Sequence, residues 1–208
     1  MTFLSCLTDD TDLVLDSSVI INLLATGHAT PILKALAVPI AVTGNVLREI
    51  ERGAANGRPE FELLTAMVNE GVLRVEELKG RALETLFDLV SGTIAESLDD
   101  GEAATLAFAH GSGFYAAIDE KKATRLAAVR FESLRLVTTI DILAHKSVRT
   151  SLGGELLADA TFQALRLARL QVREHQFEWI AGLIGQEKVD ACSSLRRLVK
   201  HRSTIRNP

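Results

Sequence analysis

Short β-rich runs alternating with helix-length apolar patterns constrain this chain most, because strands joined through helical crossovers pair in parallel and carry helices on the sheet's faces. Leu13-Val14-Leu15 and Pro39-Ile40-Ala41-Val42 read as strands, Val72-Leu73-Arg74-Val75 as an edge strand, Tyr115-Ala116-Ala117-Ile118 as a buried strand and Leu134-Arg135-Leu136-Val137-Thr138 as the last. Ser17 or Ser18 is expected to cap a helix burying Val19, Ile20, Leu23 and Leu24, and Thr43 or Asn45 to open one through Val46, Leu47 and Ile50 that stops near Gly53. A helix from about Glu60 to Asn69 ends at Gly71, and Leu83, Leu86, Phe87, Val90 and Ile94 mark a long one. Asp99 begins a helix with a small-residue surface of Ala103, Leu106, Ala107 and Ala109, ended by Gly111 and Gly113. From Ile140 onward the pattern is helical only, with Ser151-Leu152-Gly153-Gly154 as a joint.

The 208 residues suit one domain with an appendage, and 47% hydrophobic with 24% charged residues describes a folded chain. No long charge-free apolar run is present, so no membrane segment is expected. The first ten residues carry no basic leader and turn acidic at Asp9-Asp10, which predicts a cytoplasmic protein without a secretory signal. Cys6 and Cys192 stand near opposite ends in no metal-type spacing, so neither a disulfide framework nor a zinc site is expected. A net charge of −4 does not announce a nucleic-acid binder. That average hides two basic stretches, Lys121, Lys122, Arg125 and Arg130 after Asp119, and Arg196, Arg197, Lys200, Arg202 and Arg206 near the carboxyl end. A solvated helix face explains such runs, and phosphate contact is the alternative.

Four acids stand where an apolar segment gives way to a turn or helix start: Asp16, Glu49, Glu102 and Asp119. The carboxyl ends of parallel strands share one edge, so residues distant in sequence can converge there, and oxygen-rich sites suit Mg²⁺ or Mn²⁺. Each acid also has a plain structural explanation. Asp16 and Asp119 could cap the helices that follow them, Asp99 with Glu102 has capping-box spacing, and Glu49 among Arg48, Glu51 and Arg52 could lie on a surface. Independent caps do not account for all four recurring in a βαβ setting. The five histidines form no triad or paired ligand pattern, and Tyr115 and Trp179 read as packing residues.

Asp16-Ser17-Ser18-Val19-Ile20-Ile21-Asn22, Val46-Leu47-Arg48-Glu49-Ile50, Leu98-Asp99-Asp100-Gly101-Glu102-Ala103-Ala104 and Ile118-Asp119-Glu120-Lys121-Lys122 resemble the ordered acidic motifs of PIN-domain nucleases. The third motif is similar to the Leu-Asp-x-Gly-Glu-Ala form of a toxin-like branch. This resemblance implies a PIN-like three-layer α/β fold over residues 11–150, a central, mostly parallel sheet flanked by helices, plus a helical C-terminal extension over 151–208 with a basic tail. It implies Asp16, Glu49, Glu102 and Asp119 as the acidic quartet holding Mg²⁺ or Mn²⁺, with Asp99 nearby and Ser17 and Asn22 as supporting polar groups. Gly101-Glu102-Ala103 matches the Gly-Asp-Ala of other branches, which favours Glu102 over Asp99 or Asp100 as third acid. Thr138-Thr139-Ile140-Asp141 departs from the branch's pattern and leaves Thr139 and Asp141 unassigned.

The activity so implied is metal-dependent endoribonuclease hydrolysis of RNA by the toxin of a toxin–antitoxin pair, often a homodimer, with a cognate antitoxin protein as partner. Because an acidic site repels a polyanion, Lys121, Lys122 and Arg125 are expected to hold the RNA substrate. A catalytically weak PIN-like module binding nucleic acid or protein is the alternative. A dehalogenase-like phosphatase would need an Asp two positions after Asp16, where Ser18 stands, and a receiver domain needs an early acidic pair that this order lacks.

Overall fold

The computed structural model describes residues 3, 5–8, 10–54, 57, 59–91 and 97–206, the last four by backbone only. The chain divides into two compact units. One comprises the described residues of Thr8–Ile21 and Ala37–Thr138 and contains the whole sheet; the other comprises those of Met1–Leu7, Asn22–Leu36 and Thr139–Pro208 and is helical.

In the sheet unit, β1 (Leu13–Leu15), β2 (Ile40–Thr43), β3 (Arg74–Glu76), β4 (Tyr115–Ala117) and β5 (Leu136–Val137) form a five-stranded sheet of order β3-β2-β1-β4-β5. Every pairing is parallel, with Leu13 opposite both Ile40 and Tyr115, and Leu15 opposite Ala117. β1 lies at the centre and all three of its residues are fully buried, as expected of a strand covered on both faces. The crossovers are α1 (Ser17–Ala25), α2 (Ala29–Leu36), α3 (Gly44–Ala54), α4 (Glu60–Asn69), α5 (Arg81–Val90), α6 (Asp100–Ser112) and α7 (Lys121–Arg130). α1 begins in the sheet unit and ends in the helical one, to which α2 belongs.

The expected small-residue helix is α6, whose Ala103, Ala104, Leu106, Ala107 and Ala109 are all buried. Short side chains let its backbone lie close to β1, β2 and β4, while Leu86 and Leu89 of α5 close the core from outside. Gly113, at φ 77°, ends α6 in the left-handed conformation that favours glycine. Thr43 opens α3, its hydroxyl 3.3 Å from the Val46 amide. The edge strand β3 starts two residues later than its apolar run suggests, and β5 covers only the centre of Leu134–Thr138. α5 ends at Val90; Ile94, expected to extend it, lies outside the described residues. α2 has no counterpart in the sequence reading.

The helical unit contains α8 (Thr139–Ala144), α9 (Lys146–Gln163), α10 (Phe177–Ile184), α11 (Gln186–Val189) and α12 (Ser193–Arg206), with a π-helical turn over Ala164–Ala168 and a 3₁₀ turn over Glu174–Gln176. Gly153, at φ 72° and ψ 167°, breaks α9 within the segment read as a joint. Val189, Cys192 and Leu195 are buried, as the apolar stripe on the basic helix requires, and Arg202 pairs with Glu178. Cys6 and Cys192 are both free. Among the described residues no single helix is long and apolar enough to cross a membrane.

Candidate active site

Asp16 is the first residue past the central strand, and its amide donates to the carbonyl of Ala117, the last residue of β4, at 3.0 Å. That bond fixes where the chain leaves the sheet. Asp16 is 1% exposed. Its Oδ2 accepts the Ser18 amide at 3.1 Å and the Ser18 hydroxyl at 2.6 Å, so of the caps the sequence offers, Asp16, Ser17 and Ser18, it is the Asp16 carboxylate that caps α1. The other oxygen, Oδ1, is buried with no hydrogen-bond partner. A cap therefore uses half of this carboxylate and leaves half of it free.

Glu49, on the second turn of α3, is half-buried rather than on an open surface. Its Oε1 accepts the Ser17 hydroxyl at 2.8 Å, which ties α3 to the start of α1. Its Oε2 is likewise buried and without a partner. That oxygen rests against Gly101 near the start of α6: a Cβ there would fall well inside contact with Oε2 and only 3.3 Å from the Glu49 Cδ. Gly101 thus makes room for the Glu49 carboxylate, a role that only the fold reveals.

Asp99 caps α6, its Oδ1 accepting the Glu102 amide at 2.9 Å. The capping reading of the Asp99–Glu102 spacing is correct, and it holds Asp99, itself exposed, at the edge where the other acids emerge. Glu102 is 9% exposed on the first turn of α6. Asp119 follows β4 by two residues, at the same sheet edge as Asp16 on the neighbouring strand, and is buried. The Ile118 amide, donating to the Val137 carbonyl at 2.9 Å, holds the chain just before it.

The electrostatics tie these groups together. Burial pushes the Asp16 carboxyl up to about 7, against the two Ser18 hydrogen bonds and with the repulsion of Glu49 and Asp99. Glu102 is pushed up to about 8 by burial and then by Asp99, Asp16 and Glu120, with a hydrogen bond from the Asp99 backbone opposing. Glu49 is raised by burial, opposed by Ser17 and Arg52, with Asp99 and Asp100 adding repulsion. Asp16, Glu49, Asp99 and Glu102 therefore share one field, which Arg52 offsets only in part and only at Glu49.

Ser17 is buried and serves Glu49; Asn22 is also buried, five residues along α1 and in the helical unit. Lys121, Lys122 and Arg125 form the start of α7 directly after Asp119, with Lys121 and Arg125 exposed and Lys122 half-buried. Thr139 and Asp141 belong to the helical unit, where Asp141 Oδ1 accepts the Cys6 amide at 3.4 Å. The sequence names Ser18 as a cap candidate and Gly101 as part of the third motif, but not their roles beside the acids. An Asp followed two positions later by Ser is a local signal that could have paired Ser18 with Asp16, whereas nothing local signals the approach of Glu49 to Gly101.

These residues fit a hard divalent cation by chemistry. Every donor is a carboxylate or hydroxyl oxygen, two buried carboxylate oxygens have no partner, and burial with mutual repulsion disfavours the charged state of three of the acids. They do not form a closed cage: among the described residues no three His, Cys, Asp or Glu side chains are gathered tightly enough to hold an ion unaided. Like charges buried near one another stay apart.

A family model described as a PIN domain matches residues 12–170, taking in all four acids. No curated protein and no solved structure matches the chain. PIN domains are generally nucleases that use divalent metals. Matched over most of its length and built on a five-stranded, all-parallel sheet flanked by helices, the chain belongs to the PIN-domain family.

Proposed function

We propose that this protein is a divalent-metal-dependent endoribonuclease, acting in the cytoplasm as the toxin of a toxin–antitoxin pair, with Asp16, Glu49, Glu102 and Asp119 as its working acids. The single observation that supports this most is the pair of buried, partnerless carboxylate oxygens, Asp16 Oδ1 and Glu49 Oε2, in a site where burial and repulsion disfavour charge. Buried acceptors are ordinarily satisfied, and each one left bare costs about 1–3 kcal/mol or more when charged.

In this reading Asp16 is the principal ligand of Mg²⁺ or Mn²⁺, Glu102 and Asp119 are further or water-mediated ligands, and Asp99 holds the turn while adding negative charge. The ion, when bound, offsets charge on the phosphoryl oxygens and makes water a better nucleophile at neutral pH. Ser17 fixes one oxygen of Glu49 and leaves the other free, so Glu49 orients the attacking water and accepts its proton at Oε2. The raised affinity of Glu49 for protons makes it a stronger base than an ordinary surface carboxylate. Asp16 and Glu102 must give up protons to bind a cation, so metal affinity rises with pH.

The decisive experiment titrates Mn²⁺ into the wild type and Asp119→Asn and follows cleavage of RNA in parallel. Loss of both binding and cleavage in the folded variant is expected; Mn²⁺ binding without cleavage by the wild type would replace the enzyme with a binding module. The exposed start of α7 supplies the phosphate contacts in this proposal. Replacing Lys121, Lys122 and Arg125 together by Ala is expected to raise KM for RNA about tenfold or more, with kcat little changed. Unchanged RNA affinity would remove α7 from the substrate path.

A further inference from the structure

Away from the acids, the sheet unit contains a groove of about 560 Å³ at the α5–α6 junction, whose lining includes Lys79, Arg81 and His110 with Thr85 and Ser112. Lys79, Arg81 and His110 are exposed, and among the described residues neither Lys79 nor Arg81 is held in an ion pair. Glu77, the one acid lining the groove among the described residues, lies 3.8 Å from Arg48 of α3, which offsets its charge.

Two elements join this groove to the site. α6 carries Glu102 on its first turn and His110 eight residues later, a rise of about 12 Å along the helix. α3 carries Glu49 between Arg48 and Arg52; Arg52 acts on the Glu49 carboxylate, and Arg48 reaches Glu77 at the groove. With Arg48 offset by Glu77, the groove's positive charge is that of Lys79 and Arg81.

We infer that this groove, with Lys79 and Arg81 as its anchors, binds the phosphodiester backbone of single-stranded RNA several nucleotides away from the bond being cut. The inference rests on the ribonuclease reading of the acids. A site that repels a polyanion gains most from cations placed beyond the reach of its own carboxylates, where they add affinity without competing for the ion. Thr85 and Ser112 supply hydroxyls for sugar or phosphate oxygens, and no base-reading pattern is required.

The test uses the full chain, Lys79→Ala/Arg81→Ala, and single-stranded RNAs of about 4 and about 16 nucleotides, the extremes of site size among single-strand-binding OB folds. Both side chains are exposed, so the fold is retained. For the long RNA, KM is expected to rise about tenfold at unchanged kcat, with the slope of log affinity against log salt shallower by about 1.4, the value for two single-strand phosphate contacts. The short RNA is expected to be cleaved alike by both proteins. Equal KM and equal salt slope on the long RNA, with the wild type still cleaving, overturns the groove alone. A wild type that binds the long RNA through Lys79 and Arg81 but cuts neither keeps the groove and removes the nuclease reading. Loss of poly-aspartate binding in the variant, with RNA affinity unaltered, gives the groove to an acidic protein segment and overturns the inference.

Discussion

Asp16→Asn is expected to abolish RNA cleavage while making the metal-free protein more stable at alkaline pH. On the catalytic side, Asn can still accept the Ser18 amide through its carbonyl oxygen, so the start of α1 survives, but the buried second oxygen is exchanged for an amide that cannot bind a cation. A fall of about 10³-fold or more in kcat/KM corresponds to about 4 kcal/mol of barrier, the scale of losing metal assistance. On the stability side, a carboxyl of ordinary value 3.8 sits at about 7 in the folded protein. Between those values the folded state holds a proton that the unfolded state has released, so stability falls as pH rises through this window and the full penalty, on the order of 4 kcal/mol, applies above it. Asn carries no such charge but leaves a buried N–H unpaired, at about 1–3 kcal/mol. Thermal unfolding in EDTA should therefore rank the variant below wild type at pH 4, where the Asp16 penalty is still under about 1 kcal/mol, and above it at pH 8.5. The same stability ranking at both pH values would show that Asp16 is not held protonated by its surroundings. Expressed alone, the wild type should arrest growth and Asp16→Asn should not if the proposed toxin role holds; equal growth would remove that role.

The layout of strands and helices was legible because the signals are local. Apolar runs mark β1, β2 and β4, small residues mark α6, and Gly113 marks its end. α2 escaped although Ala29, Ile32, Leu33 and Leu36 stand at helical spacing and Pro31 lies in the first turn, where proline is tolerated. Its eight residues, set off from α1 only by a short turn at Gly27, are few for a periodic signal. The positions of the acids were legible for a topological reason: parallel register alone brings Asp16 and Asp119 to one edge, on adjacent strands. Their chemistry was not. That Asp16 divides its oxygens between a helix cap and an empty environment depends on packing against elements distant in sequence, as does the half-burial of Glu49, which its charged neighbours had suggested was a surface residue. Capping and cation binding were alternatives for a lone Asp; in the folded chain one oxygen caps and the other has no hydrogen-bond partner, so the two no longer exclude each other.

Gly101→Ala separates folding from function more sharply than any change to an acid. In the first turn of α6 a glycine is conformationally costly, and Ala there favours the helix by about 0.5–1 kcal/mol. The new methyl group would collide with Glu49 Oε2, the far end of a flexible, half-buried side chain, so the carboxylate swings aside and the fold stands. Its displacement breaks the 2.8 Å bond from Ser17 and moves the proposed base from its place. A shift of about 1 Å in a positioned group costs about 10²-fold in rate, so kcat should fall by that order with Tm unchanged or slightly higher. Because Gly101 acts only through Glu49, the effect must vanish when that side chain is already gone. In a double-mutant cycle, Gly101→Ala added to Glu49→Ala should leave the residual rate unaltered, whereas independent losses would multiply. Multiplying losses, or a fall in Tm of several degrees, would mean that Gly101 serves the packing of α6 and not the placement of a carboxylate.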